Sequence, residues 1–175
     1  MTSIVMDTSS LISLEMIRVL EKVPQVAKVV VPLAVKGELE EMAEYGDKEG
    51  KAAKGVIGRI KTASIELRSV KNGTKVASLL SKNVNPGEAE CFVCCLENGI
   101  KLLVMDDVDA AYTLEGPAIE AGIKIKISVA VLVELYKKRL MTKNELENFI
   151  KSLIKIREWE GGVLEVLAGR YLKNV

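Results

Sequence analysis

The chain has 175 residues and a formal net charge of +1, with 49% hydrophobic and 4% aromatic residues. This length predicts a single domain with an aliphatic core, and the near-neutral charge means that any nucleic-acid binding would need a local basic patch. The sequence contains no histidine, which excludes Ser-His-Asp and Cys-His triads and histidine-ligated zinc.

The cysteines are Cys91, Cys94 and Cys95, all within five residues of one another. A zinc site needs four ligands and no further Cys or His exists, so buried structural thiols are the better interpretation. Three free thiols indicate a reducing cytoplasm, and we find no secretory leader and no long apolar run. We therefore expect a cytoplasmic protein with no membrane partner. The single Gln and abundant Lys, Glu, Ile and Val favour a thermophilic source.

The first predicted element is a buried strand over residues 4–6 that ends at Asp7. Thr8, Ser9 and Ser10 follow, and an apolar-periodic segment then predicts a helix. Ligand sites in parallel sheets form at the carboxyl ends of strands. Asp7 is therefore either a helix cap or a site carboxylate, and further acids at the same edge would favour the second role.

A second strand is predicted over Val26 to Val31, followed by a helix over Leu33 to Tyr45 with Pro32 at its first position. Glu38 lies near the start of that helix, where it can reach the tip of the sheet. Residues 46–61 form either a short helix or a mobile loop. Their basic side is a solvated surface or a patch that contacts phosphate groups. It comprises Lys48, Lys51, Lys54, Arg59 and Lys61.

A strand over Ile65 to Val70 and a short helix over Thr74 to Lys82 come next. Asn85-Pro86-Gly87-Glu88 then opens a longer helix, because Asn85 is a good N-cap and Glu88 completes a capping-box pattern. Gly99 ends this helix.

The strand predicted over Ile100 to Met105 ends in Asp106 and Asp107, which repeats the arrangement at Asp7. Gly116-Pro117 is expected to break the next helix. A strand over Ile123 to Ile127 follows, and the pattern is helical from Ser128 onwards. The last helices are predicted over Val129 to Leu140, from the Thr142 capping box to Gly161-Gly162, and over Val163 to Leu172.

This alternation predicts an α/β fold with a mainly parallel sheet flanked by helices, so the strand carboxyl ends face one way. Asp7 and Asp106-Asp107 end strands, and Glu38 and Glu88 lie near helix starts that face the same edge. These motifs contain no Lys or Arg, so bound cations are needed to offset the repulsion between the acids. A set of ligands that offers only oxygen atoms suits Mg²⁺ or Mn²⁺. Two such ions at one site can activate a water molecule that attacks a phosphodiester bond. A histidine base is then not needed.

These motifs, taken together and in order between residues 3 and 140, resemble the PIN-domain nuclease family. They are Val-Met-Asp-Thr-Ser-Ser-Leu-Ile at 5–12, Glu38, Gly-Glu-Ala-Glu at 87–90 and Leu-Val-Met-Asp-Asp at 103–107. The group they look most like is the archaeal and bacterial VapC-type group with a Gly-Glu-x-Glu motif. The resemblance implies a Rossmann-like fold, Mg²⁺- or Mn²⁺-dependent cleavage of single-stranded RNA, a homodimer and, for toxin members, an antitoxin protein as partner.

The resemblance also assigns roles to residues. The acids that match the family's metal-holding, catalytic set are Asp7, Glu38, Glu88 and Asp106. Ser9 matches a supporting hydroxyl. Glu88 is preferred as the third acid because it lies 18 positions before Asp106, the separation that the resemblance implies between the third and fourth acids.

Two choices stay open, since the members of each pair point in different directions: Glu90 in place of Glu88, and Asp107 in place of Asp106. We expect a PIN-like α/β nuclease domain over residues 1–140 and a helical extension over 141–175, packed on the same domain or on a dimer partner. The alternative function is a non-catalytic PIN-like scaffold that binds RNA or protein.

Overall fold

The computed structural model describes residues 2–80 and 84–175. The strands within these ranges are β1 (Thr2–Met6), β2 (Ala27–Pro32), β3 (Glu66–Arg68), β4 (Leu102–Val104) and β5 (Lys124–Lys126). They form one five-stranded parallel sheet, in the order β3-β2-β1-β4-β5. This confirms the predicted parallel α/β fold.

Helices connect the strands and complete the chain. Those in the described ranges are α1 (Thr8–Met16), α2 (Leu33–Met42), α3 (Lys48–Lys61), α4 (Gly73–Leu80), α5 (Pro86–Asn98), α6 (Val108–Ala121), α7 (Val129–Lys137), α8 (Lys143–Ile156) and α9 (Val163–Lys173). A short 3₁₀ helix, Leu20–Gln25, precedes β2. No helix in the described part of the chain is long and apolar enough to cross a membrane.

The central strand β1 brings two acidic motifs to the same edge of the sheet. Val5 pairs with Val30 of β2 on one side and with Leu103 of β4 on the other. The continuous aliphatic run suits a strand that is buried on both faces. Because β1 and β4 are adjacent and parallel, Asp7 and the 106–107 pair follow them at one edge, and the Asp7 N–H donates to the Val104 carbonyl at 3.1 Å.

The core is aliphatic, with the thiols of α5 inside it. Cys91, Cys94 and Cys95 are free and buried, as predicted. Burial raises the pKa of each thiol, to about 11 for Cys94, so all three stay protonated at neutral pH. They therefore act as small apolar groups in packing.

Two predictions about prolines are wrong. Pro32 is predicted to be the first residue of helix α2. It is instead the last residue of β2 and the N-cap of α2. Pro117 does not break its helix, because α6 runs without interruption from Val108 to Ala121. Leu114 and Ala118 lie on either side of Gly116-Pro117 and are both buried. The packing of these two side chains offsets the loss of the backbone hydrogen bond that Pro117 cannot donate.

Within residues 46–61, residues 48–61 form a helix, which is the first of the two predicted alternatives. The Asp47 side chain caps α3 by accepting the Gly50 N–H at 2.7 Å. Ala52, Ala53 and Val56 are buried, so packing stabilises a segment whose glycines disfavour a helix.

Several predicted ends are wrong by a few residues. Helix α8 stops at Ile156, five residues before Gly161-Gly162, and Glu158 then takes a left-handed φ of 56°. The ranges predicted for α2, for α7 and for the last three strands are also longer than the observed elements. The predicted end of α4 falls at Lys82, which lies outside the described residues.

Candidate active site

An acidic cleft of about 230 Å³ lies where the strand-end and helix-start motifs meet. Its lining includes the carboxylate residues Asp7, Glu38, Glu88 and Asp107. Asp7 and Asp107 follow the ends of adjacent strands, whereas Glu38 lies in the second turn of α2 and Glu88 in the first turn of α5. The predicted meeting of these four segments is therefore observed.

Asp7 caps helix α1 and also lines the cleft. Its Oδ1 caps α1 by accepting the Ser10 N–H at 2.8 Å, and its Oδ2 accepts the Ser9 hydroxyl at 2.6 Å. The residue is only 3% exposed. Burial raises the pKa of Asp7 to about 7, against the lowering effect of Ser10 and Ser9, and the charge of Asp106 raises it further.

Asp106 is buried beside Asp7. Its Oδ1 accepts the Ser128 N–H at 2.7 Å, whereas its Oδ2 is buried and has no hydrogen-bond partner among the described residues. Burial raises the pKa of Asp106. An unsatisfied buried carboxylate oxygen is costly, so a cation bound beside this atom would offset that cost.

Ser9 links the two strand-end acids. Its hydroxyl donates to Asp7 Oδ2 and accepts the Asp106 N–H at 3.0 Å. One side chain therefore fixes the carboxylate of Asp7 relative to the backbone of Asp106. The supporting role of Ser9 in catalysis stays a prediction.

Glu38 is held by two other segments of the chain. The Gly87 N–H donates to its Oε1 at 3.1 Å, and the Thr8 hydroxyl donates to its Oε2. A Cβ at residue 87 would lie 2.7 Å from Glu38 Cδ, so the approach requires glycine. The first residue of the Gly-Glu-x-Glu motif thus positions a carboxylate on a different helix.

The two glutamates of that motif diverge, as their spacing on a helix predicts. Glu88 lines the cleft and completes the capping box, where its Oε2 accepts the Asn85 N–H at 3.0 Å. Burial raises the pKa of Glu88, and the charges of Asp107 and Glu38 add to this effect. Glu90 instead accepts the Ala34 N–H at 3.0 Å and so caps the start of α2.

Asp106 and Asp107 diverge in a similar way. Asp107 is the N-cap of α6, since its Oδ1 accepts the Ala110 N–H at 2.9 Å, and it also lines the cleft. Asp106 lies deeper, next to Asp7. Asp107 therefore lines the cleft, whereas Asp106 is not among the described lining residues but lies close enough to Asp7 for its charge to raise the pKa of Asp7.

Sequence reasoning missed Arg157, which lines the same cleft. It is the C-cap of α8, and its Nη1 forms an ion pair with Glu49 of α3. The four acidic motifs contain no basic residue, but tertiary packing supplies one from the helical extension. No local pattern around residue 157 predicts this, because the position of Arg157 depends on contacts with distant residues such as Met16 and Glu49.

The predicted basic patch is smaller than expected. Arg59 is partly buried and bound to Glu15, with 2.8 Å between Nε and Oε2. Lys48 donates to the Ile156 carbonyl at 2.9 Å. Lys51, Lys54 and Lys61 are exposed on α3.

No metal-binding group is already formed. Across residues 2–80 and 84–175, no three Asp, Glu or Cys side chains are arranged to hold an ion. Most of the cleft acids accept protein hydrogen bonds instead. The donor set nevertheless fits a hard divalent cation, because it consists of carboxylate and hydroxyl oxygens and includes the unpartnered Oδ2 of Asp106.

The comparison with known families identifies the class of fold. The family model DUF3368, a PIN domain, matches residues 3–161. This chain belongs to the PIN-domain family. PIN domains are generally nucleases, so a nucleic acid is the class of substrate that the family indicates. The match extends beyond residue 140 and includes Arg157. No curated protein and no solved structure matches the chain significantly.

Proposed function

We propose that this PIN domain is an endoribonuclease that hydrolyses phosphodiester bonds of single-stranded RNA with Mg²⁺ or Mn²⁺. The observation that carries the proposal is the meeting of Asp7, Glu38 and Glu88 with the 106–107 pair at one cleft. Such a concentration of partly buried carboxylates destabilises the fold unless cations offset the repulsion.

Asp7, Glu38, Glu88 and Asp106 would hold the ions, with Asp107 as second choice for the last position. Glu90 is the weaker alternative to Glu88 because its carboxylate is bound to the N-terminus of α2. Bound divalent ions would supply an activated water and neutralise the charge that develops on the leaving oxygen.

The surrounding side chains keep these carboxylates in place. Ser9 holds Asp7, and Gly87 and Thr8 hold Glu38. Asp7 must lose its proton before it can act as a ligand. Because its pKa is raised to about 7, we expect divalent-cation binding and cleavage to weaken as the pH falls below neutrality.

The exposed lysines of α3 are our candidates for contacts to RNA phosphates outside the cleft: Lys51, Lys54 and Lys61. A role as a VapC-type toxin, with an antitoxin and a homodimer, stays a prediction. So does the division of the chain at residue 140.

The second candidate function is a non-catalytic scaffold that binds RNA or protein. It is favoured by the absence, within the described ranges, of a ready three-residue metal group. The two functions differ in what happens to RNA after it binds.

The deciding test is the substitution Asp7→Asn, assayed with end-labelled single-stranded RNA and Mn²⁺. The amide keeps the shape and the helix cap but lacks the charge, so cleavage should be lost while the melting temperature does not fall. Glu120→Gln, which removes an exposed acid from α6, is the matched control and should cleave normally. Undiminished cleavage by Asp7→Asn would refute the assignment, and an inactive wild type that still binds RNA would favour the scaffold.

A further inference from the structure

The acidic cleft contains a single cationic side chain among its described lining residues, that of Arg157. It arrives from the C-terminal end of α8, far along the chain from the acids. Its side chain is 16% exposed, so most of it is packed against the protein. Contact with water does not explain why a largely buried arginine lies next to a group of carboxylates, so another reason for its position is required.

The visible contacts of Arg157 leave part of its guanidinium uncommitted. Nη1 forms the ion pair with Glu49 and contacts Met16 Sδ at 4.0 Å. Nε is buried and has no hydrogen-bond partner among the described residues. An arginine carries five N–H donors in a rigid fork, and leaving one buried and unpaired costs free energy. The ion pair with Glu49 therefore leaves part of the hydrogen-bonding capacity of Arg157 unused.

The charge of Arg157 also acts on Asp106. It lowers the pKa of Asp106, against the larger effect of burial. An RNA phosphate that enters the cleft meets Asp7, Glu38, Glu88 and Asp107, and each carboxylate repels it. A cation on the wall of the cleft offsets that repulsion at the place where the phosphate must sit.

We infer that Arg157 binds a phosphodiester of single-stranded RNA in the cleft and holds it against the carboxylates. A guanidinium can donate two parallel hydrogen bonds to phosphate oxygens, which fixes orientation as well as position. The inference rests on the proposed function, because it takes RNA as the substrate. It gives the helical extension a direct part in substrate binding.

A purely structural role is the competing explanation. In that case Arg157 ties the end of α8 to α3 through Glu49, and its place in the cleft is incidental. Glu49→Gln separates the two roles, because it weakens the same ion pair from the other side. It leaves the guanidinium and its charge in the cleft.

The test measures the affinity of the full chain for a short fluorescein-labelled single-stranded RNA by fluorescence anisotropy. Ca²⁺ replaces Mn²⁺ to suppress cleavage, and the wild type, Arg157→Met and Glu49→Gln are compared over a range of salt concentrations. Arg157→Met should raise Kd about tenfold, and should reduce the slope of log Kd against log salt by about 0.7, the value for one phosphate contact in a single strand. Glu49→Gln should lower the melting temperature but keep both Kd and the slope.

The outcomes are distinguishable. An unchanged Kd for Arg157→Met, equal effects of the two substitutions, or a wild type that does not bind RNA would each overturn the inference. RNA that binds but is not cleaved with Mn²⁺ would refute the proposed function, while the Kd comparison would still decide the role of Arg157. If Arg157→Met unfolds at the assay temperature, Arg157→Gln replaces it. The glutamine can still hydrogen-bond to Glu49, and the same changes in Kd and slope are required.

Discussion

The strand-end acids and the helix-borne acids reach the cleft by different means. Asp7 and Asp106 follow adjacent buried strands and are 3% and 6% exposed, so the order of the sheet places them. Glu38 and Glu88 are carried on α2 and α5, and individual hydrogen bonds from Gly87, Thr8 and Asn85 orient them. The first pair is fixed by topology and is costly to ionise, whereas the second depends on the packing of two helices.

The largest expected effect comes from the strand-end pair at 106–107. Asp106→Asn should reduce Mn²⁺-dependent RNA cleavage at least about 100-fold, because it alters a proposed metal ligand whose Oδ2 has no other partner. Asp107→Asn should cost less than about tenfold, since asparagine caps a helix as well as aspartate does. Initial cleavage rates of the two variants, with melting temperatures to verify folding, decide between them. The reverse ranking would assign the ligand role to Asp107.

The buried acid Asp7 should also make stability depend on pH. Its folded pKa is raised from the usual 3.8 to about 7, so the folded state keeps a proton that the unfolded state has lost between these values. In the absence of divalent ions, the free energy of unfolding should therefore fall as the pH rises from about 4 to about 7, by at most about 4 kcal/mol for this group.

Urea unfolding of the wild type and of Asp7→Asn, at pH values below and above this range, isolates the contribution of Asp7. The asparagine variant does not titrate at this position, so the stability difference in its favour should grow with pH. A difference that is constant with pH would show that Asp7 is ionised freely in the folded state.

The helix-borne pair should be sensitive to the packing of α2 against α5. Gly87→Ala places a Cβ against the Glu38 carboxylate and should lower cleavage about tenfold by displacing it. Gly37→Ala is the matched control, because it lies next to Glu38 in α2 and its new Cβ meets nothing within 4 Å. The control should cleave normally and be more stable by about 0.5–1 kcal/mol. Equal activity of the two variants would remove Gly87 from the positioning of Glu38.

The smallest effect is expected at Glu90. Glu90→Gln keeps an acceptor for the Ala34 N–H but removes a negative charge from the start of α2, so stability should fall by about 0.5–1 kcal/mol with little change in cleavage. Glu88→Gln should instead reduce cleavage strongly. Thermal unfolding and cleavage rates of both variants provide the comparison, and loss of cleavage in Glu90→Gln would make Glu90 the ligand.

The sequence was informative wherever local chemistry and topology agree. The apolar strands that end in Asp7 and in Asp106-Asp107 were sufficient to predict that these acids share one edge, because parallel strands leave little alternative. The capping box at Asn85 and Glu88 is confirmed by its hydrogen bonds. Each of these features depends on only a few consecutive residues.

The remaining features depend on contacts between distant segments. Gly116-Pro117 carries a local signal for a helix break, but burial of the residues on either side overrides it. The direction of Glu90 towards α2 and the arrival of Arg157 in the cleft follow from helix packing, for which the sequence offers no local pattern. Arg157 directly follows α8, which ends at Ile156 rather than at the glycines.

The most direct test of the central claim is calorimetric titration of Mn²⁺ into the wild type, Asp7→Asn and Glu38→Gln, each with its melting temperature measured. These two variants sample the strand-end and the helix-borne acids separately. If the acids form one cation site, Mn²⁺ should bind and stabilise the wild type, and each substitution should weaken binding about tenfold or more. A wild type that neither binds Mn²⁺ nor gains stability from it, or binding that neither substitution affects, would contradict the account.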